Sequence, residues 1–204
     1  MNPEDFTKEY ILVEVKKLQY LYSLKKVIRY GRSREKDDLT ESVAEHLYGM
    51  QLLAHYFLPL ENPTQDWNAL RIFSMITIHD LDEIETGDTI GYLKTPEIYA
   101  LEAKAEERVF NNLPTHLQEP FGKLMNEYKS QTSKEANFVK AIDRIEPLFQ
   151  TYSQFGKTIF SINKTRLEDS IRIKDRFIRP FPVLYRYYTV LQQQMVDEGY
   201  FHKE

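Results

Sequence analysis

Residues 42–57 read SVAEHLYGMQLLAHYF, and their pattern decides the fold class. Ser42 followed three residues later by Glu45 is a capping box, in which a hydroxyl and a carboxylate each satisfy a free amide at a helix start. Val43, His46, Met50, Leu53 and Phe57 then recur at three- and four-residue steps, which puts them on one helical face. Pro59 and Pro63 are expected to end this helix. One of the inward positions is a histidine. A lone inward histidine is ordinarily a hydrogen-bonded core residue, and His55, with no acidic residue near it, is read that way.

The same signals recur on both sides. Asn2-Pro3-Glu4-Asp5 reads as a cap, a first-turn proline and two acids suited to a helix dipole. Ile11, Val15, Leu18 and Tyr22 follow at helical spacing, and this first helix is expected to run to about Ile28. A third helix is expected from about Asp66 to Gly87, with Trp67, Leu70, Phe73, Ile76 and Ile78 as its face. Ile72 and Met75 lie off that face, so the helix should be buried on most sides. Thr95-Pro96-Glu97 opens a fourth helix that ends before Pro114. A shorter helical piece covers roughly Leu117 to Tyr128. Ser133 caps a helix with Val139, Ile142 and Phe149 as apolar positions, and Pro147 should kink or end it. Pro180 and Pro182 precede a last helix closed by Gly199. No segment alternates like a strand and no repeat or linker appears. The expected fold is all-α, one domain over 1–204.

Composition narrows the chemistry. Of 204 residues 42% are apolar and 28% charged, the balance of a folded globular chain. A net charge of -4 argues against a nucleic-acid polymer as partner. The chain has no cysteine, so any metal must sit on histidines and carboxylates. No apolar run reaches membrane-spanning length and the start, MNPEDFTKEY, is too polar for a signal peptide; a cytoplasmic protein away from membranes is expected.

His79-Asp80 adjoins the apolar run Phe73-Ser74-Met75-Ile76-Thr77-Ile78. A carboxylate buried there without a partner costs several kcal/mol, which a divalent cation would offset. A plain His-Asp hydrogen bond in the core would also account for the pair. Asp143 is a lone acid within Ala141-Ile142-Asp143-Arg144-Ile145, and the default for an isolated acid there is an exposed partner of Arg144 or Lys140. Glu83 projects from the same helical face as His79. A carboxylate beside a metal can deprotonate a water, though Glu83 could also be a surface acid. Asp82 and Glu85 read as a solvated face.

The order H…HD…D resembles the HD superfamily of metal-dependent phosphohydrolases. Glu41-Ser42-Val43-Ala44-Glu45-His46 is similar to the E-S-V-[AS]-[ED]-H segment of its five-prime-nucleotidase branch. His79-Asp80-Leu81-Asp82-Glu83-Ile84-Glu85-Thr86-Gly87-Asp88 resembles that branch's H-D-x-x-E-x-x-x-G-D. Glu135-Ala136-Asn137-Phe138-Val139-Lys140-Ala141-Ile142-Asp143 resembles its E-A-x-F-V-K-x-x-D. The similarity spans about residues 18–155, with 156–204 as a helical extension that carries no family signal.

The resemblance implies a compact helical HD domain holding one divalent ion such as Mn²⁺, Co²⁺ or Mg²⁺ on His46, His79, Asp80 and Asp143. It implies Glu83 as the group that activates water and Asp88 as a second acid near the leaving group or sugar. It also implies a small phosphorylated substrate, a nucleoside 5′-monophosphate, and frequent dimers. Arg29 occupies the arginine position of the branch's R-x-G-W and would hold a phosphate oxygen. Arg32 stands where that motif has its aromatic residue and is expected to bind substrate too, by stacking on a base or as a second anion ligand, which opens the substrate class. A phosphatase of another metabolite and a metal-stabilised regulatory module without turnover remain as rival readings.

Overall fold

The computed structural model describes residues 7–30 and 40–202. Helix α1 (Lys8–Leu21) is capped by Thr7, whose side chain accepts from the Tyr10 amide; the cap expected at Asn2-Pro3-Glu4-Asp5 lies outside the described residues. Then follow α2 (Val43–Glu61), α3 (Ala69–Ile78), α4 (Glu83–Thr86), α5 (Pro96–Asn111), α6 (Thr115–Ser130), α7 (Lys134–Thr151), α8 (Gln154–Ile162), α9 (Leu167–Ile178) and α10 (Pro182–Asp197). Among the described residues the only β pairing is an isolated antiparallel bridge between Ile28 and Ser42. The architecture is all-α.

Helix α7 is the hub, with α2, α3, α6, α8, α9 and α10 all packed against it. Its Phe138, Val139, Ile142 and Ile145 are fully buried, and they meet Met50 and Phe57 of α2 and Met75 and Ile76 of α3 in one core. Each such side chain contributes about 1.5–3 kcal/mol of burial. The capping box at Ser42 is present in full, and Thr95 and Ser133 cap α5 and α7.

Several boundaries differ from the sequence reading. The first helix does not continue to Ile28. It stops at Leu21, passes through a 3-10 turn (Tyr22–Lys26), and becomes extended. The cause is non-local: the Arg29 amide donates to the Glu41 carbonyl at 3.0 Å and the Val43 amide to the Val27 carbonyl at 2.9 Å. This pairing delivers Arg29 to the start of α2. The apolar face of α1 is not core, since Ile11, Val15, Leu18 and Tyr22 are all exposed.

The third helix is shorter than expected. A turn at residues 79–82 separates α3 from the short α4, and Gly87, at φ +71°, ends α4. Leu70 is 77% exposed, whereas Ile72 and Met75 are fully buried, so the core face is rotated from the expected one. Pro59 and Pro147 sit inside α2 and α7 without ending them, and Phe149 is exposed. Helices α8 and α9 fill what was an undivided extension.

Candidate metal centre

Three helices converge on one buried cluster. His46 comes from the first turns of α2, His79 and Asp80 from the turn after α3, and Asp143 from the middle of α7. His46 Nε2 lies 3.7 Å from Asp143 Oδ1 and 3.9 Å from Asp80 Oδ2. His79 Nε2 lies 3.1 Å from Asp80 Oδ2 and 3.9 Å from Asp143 Oδ1. Asp143 is therefore not a solvated acid.

The other ring nitrogens are already committed. His46 Nδ1 is 2.6 Å from Glu146 Oε2 and His79 Nδ1 is 3.0 Å from the Ile76 carbonyl. Both of those oxygens accept, so both Nδ1 atoms carry a proton and both Nε2 atoms point into the cluster, where a divalent ion would take the place of any proton on Nε2. Each Nε2 is buried with no hydrogen-bond partner. Two unpartnered imidazole nitrogens facing two carboxylates are a donor set suited to a divalent first-row ion, and His46, His79 and Asp143 lie close enough to share one.

The carboxylates are shaped for the same task. Asp143 Oδ2 takes Lys140 Nζ at 2.9 Å and the Tyr128 hydroxyl at 3.3 Å, which leaves Oδ1 toward the histidines. Burial works against ionisation of Asp143, but Lys140 and then Arg144 hold its carboxyl well below the usual range. At Asp80 burial is likewise outweighed, here by His79. His46 is lifted to about 9: burial and the Arg29 charge oppose protonation, and Glu146 and Asp143 overcome them.

Around this cluster stand the other expected residues. Glu83 is buried, its Oε2 has no partner, and burial followed by the charges of Asp80 and Asp88 pushes its carboxyl well up. Asp88 accepts from the Tyr30 amide at 2.8 Å and lies 3.5 Å from Arg29 Nε. Arg29 is no solvated loop residue. Its Nη1 meets Glu41 at 2.6 Å and Glu146 at 3.5 Å, so three carboxylates enclose the guanidinium. Arg32 lies outside the described residues. His55 is exposed against the Phe73 ring and apart from the cluster.

The sequence reading missed several participants. Glu146, one helical turn after Asp143, and Glu41, inside the recognised segment, are buried acids that orient His46 and Arg29. Tyr30, at φ +67°, sets its hydroxyl 3.0 Å from Glu41 and lines the adjoining cavity. Asp82 is not simply solvated: it is half-buried, and burial with the charges of Asp80 and Glu102 raises it to about 7. Glu85 is exposed as expected and pairs with Arg108.

Two spaces open on the cluster. A cavity of about 150 Å³ runs from Arg29, Asp80 and Asp88 toward α8 and α9. A wider one of about 630 Å³ borders His79 and Asp80 and is rimmed by Lys94, Lys129, Lys140, Arg172 and Arg176. No helix among the described residues is long and apolar enough to cross a membrane.

Comparison with known proteins agrees with this architecture. The chain is 31% identical to the 5′-deoxynucleotidase HDDC2 of Bos taurus over 65% of its own length and 63% of the relative's. It is 28% identical to the 5′-deoxynucleotidase YfbR of Shigella boydii, over 76% of this chain and 81% of that one. The match thus spans just under two thirds of the bovine relative. Among solved structures, a predicted metal-dependent phosphohydrolase from Magnetospirillum magnetotacticum superposes with a TM-score of 0.78 at 22% identity, over 95% of this chain and 98% of the other. The HD domain family model matches residues 21–183, and the chain belongs to the HD domain family.

Proposed function

We propose that this chain is a metal-dependent phosphomonoesterase acting on nucleoside 5′-monophosphates, with His46, His79, Asp80 and Asp143 as ligands of one divalent ion. The observation that carries the reading is the pair of buried, unpartnered Nε2 atoms of His46 and His79 facing Asp80 and Asp143. A structural metal site would need neither Glu83 nor Asp88 beside it. The relatives named as 5′-deoxynucleotidases support the substrate class.

When bound, the ion supplies positive charge for the phosphoryl oxygens and acidity to a water molecule. Glu83, buried with a free oxygen, would be held ionised by the nearby cation, which offsets the repulsion from Asp80 and Asp88. It takes the proton of the attacking water. Asp88, fixed by Arg29 and the Tyr30 amide, stands by the leaving group. Arg29, Lys140 and Arg144 offset charge on the non-bridging oxygens. A second copy of the chain is the expected partner, and the exposed apolar residues of α1 support that part of the reading.

The test is phosphate release from nucleotides, sugar phosphates and an aryl phosphate with added Mn²⁺ or Co²⁺. Metal-dependent release that favours nucleotides is expected. Glu83→Gln should keep metal and lose about 10²–10⁴-fold in kcat. Near wild-type kcat in that variant would remove Glu83 from its role. No metal-dependent release from any ester would leave the regulatory module instead.

A further inference from the structure

The smaller cavity has a polar end that the chemistry above does not use. Ser170 and Lys174 stand one helical turn apart on α9, so they project from one face. They are 2% and 7% exposed and both line the cavity. Ser170 Oγ is buried without a hydrogen-bond partner. Lys174 Nζ has at least two N–H donors, charged or neutral, and spends one of them on the Arg144 carbonyl at 3.0 Å. Unspent buried donors are costly, and an acceptor placed between them removes that cost.

The rest of this end is largely apolar. Ile159 and Phe160 of α8, Leu148 of α7 and Ile173 of α9 give it apolar walls. The Tyr92 hydroxyl and Thr165 Oγ1, 2.8 Å apart, tie the segment after α4 to the loop between α8 and α9. At about 150 Å³ the cavity is smaller than a pocket that takes a whole drug-sized ligand, so it receives part of a substrate. Its other end opens on Asp80, Glu83 and Asp88. A phosphoryl group at the cluster would therefore direct its alcohol portion toward α9.

We propose that Ser170 and Lys174 form a leaving-group subsite, in which two donors between apolar walls select alcohols that carry a carbonyl acceptor. Among nucleosides this favours a pyrimidine such as thymidine, whose ring carries carbonyl oxygens, over deoxyadenosine, which has none. The subsite rests on the phosphomonoesterase reading given above.

The experiment is inhibition of aryl phosphate hydrolysis by the Mn²⁺-loaded full chain. The inhibitors are thymidine, deoxyadenosine and inorganic phosphate. Thymidine should inhibit about tenfold more strongly than deoxyadenosine. Ser170→Ala and Lys174→Met should each raise the thymidine inhibition constant about tenfold, roughly the loss of one good hydrogen bond. The constant for inorganic phosphate, which does not reach α9, should move less than about twofold. Ser170→Ala removes only a hydroxyl, so it carries the test independently of the charge that Lys174→Met also removes. Equal inhibition by the two nucleosides, or an unchanged thymidine constant in Ser170→Ala, would overturn the subsite. If the wild type hydrolyses no aryl phosphate, the phosphatase reading fails first. Calorimetric binding of thymidine that depends on Ser170 would then still support the subsite, and absence of binding would end it.

Discussion

Glu146 Oε2 lies 2.6 Å from His46 Nδ1, across the contact between α7 and α2. The bond fixes the imidazole tautomer and turns Nε2 toward Asp80 and Asp143. Burial opposes the Glu146 charge, but His46 holds the carboxyl below its ordinary value, so it is an ionised acceptor. Partners of this kind typically carry a 10–100-fold share of metal affinity. Glu146→Gln should therefore weaken Mn²⁺ binding by about that factor in a calorimetric titration, although Glu146 is not among the proposed ligands. An unchanged affinity would show that His46 orients itself without help.

Gly49 gives a way to disturb Glu146 without altering its charge. A Cβ built at Gly49 would lie 2.8 Å from Glu146 Oε1. Glycine to alanine inside a helix ordinarily gains about 1 kcal/mol. In Gly49→Ala that gain should vanish, because the carboxylate must leave a place set by His46 and Arg29. Metal affinity should fall, by less than in Glu146→Gln. A variant that melts higher and binds Mn²⁺ like wild type would mean the carboxylate has room to move.

What the sequence makes legible here is local. The capping box at Ser42, the caps at Thr95 and Ser133, and the inward phase of His46 follow from short-range chemistry, and the structure has them. The extended turn at Val27–Arg29 is not local, because it depends on hydrogen bonds to Glu41 and Val43 across residues 31–39. Leu70 and Met75 fit two alternative faces of one apolar helix, and only packing against α6 and α7 selects between them. Glu146 did carry a signal. It lies one turn from Asp143, on the same face, but a lone acid near a helix end reads as surface until α2 is packed over it. The polar end formed by α9 left no trace in the motifs, since a serine and a lysine at four-residue spacing are common on exposed helices.

Lys174 also makes stability depend on pH. Burial first, and then the Arg144 charge, lower its ammonium from 10.5 to about 7. Below about 7 the group is charged in both folded and unfolded chains, and the fold bears the full cost of burying it. Between there and 10.5 the unfolded chain binds the extra proton, so stability rises with pH across that window. Lys174→Met removes the charge and keeps the length. It should stabilise the protein most near pH 6, by on the order of a few kcal/mol. The advantage should shrink as pH climbs toward 10. Urea unfolding of both proteins at the two ends of the window measures it. A difference that does not change with pH would show that Lys174 stays charged in the fold.

Arg29 has two jobs that a simple deletion would confuse. Its guanidinium is enclosed by Glu41, Asp88 and Glu146, and it also borders the cavity that the phosphoryl group would enter. Arg29→Ala strands three buried acids, and removing one partner of a buried pair typically costs about 3–5 kcal/mol. That variant should lose stability and activity together, which says nothing about phosphate. Arg29→Lys keeps the charge among the acids but loses the planar fork that engages several oxygens at once. It should unfold closer to wild type and still bind Mn²⁺. Its kcat/KM should fall for an aryl phosphate and a nucleotide by similar factors, because the lost contact is to the phosphoryl group both share. If Arg29→Lys instead hydrolyses every ester at the wild-type rate, the guanidinium serves only to neutralise the acids around it. The charge on the phosphoryl oxygens would then fall to Lys140 and Arg144.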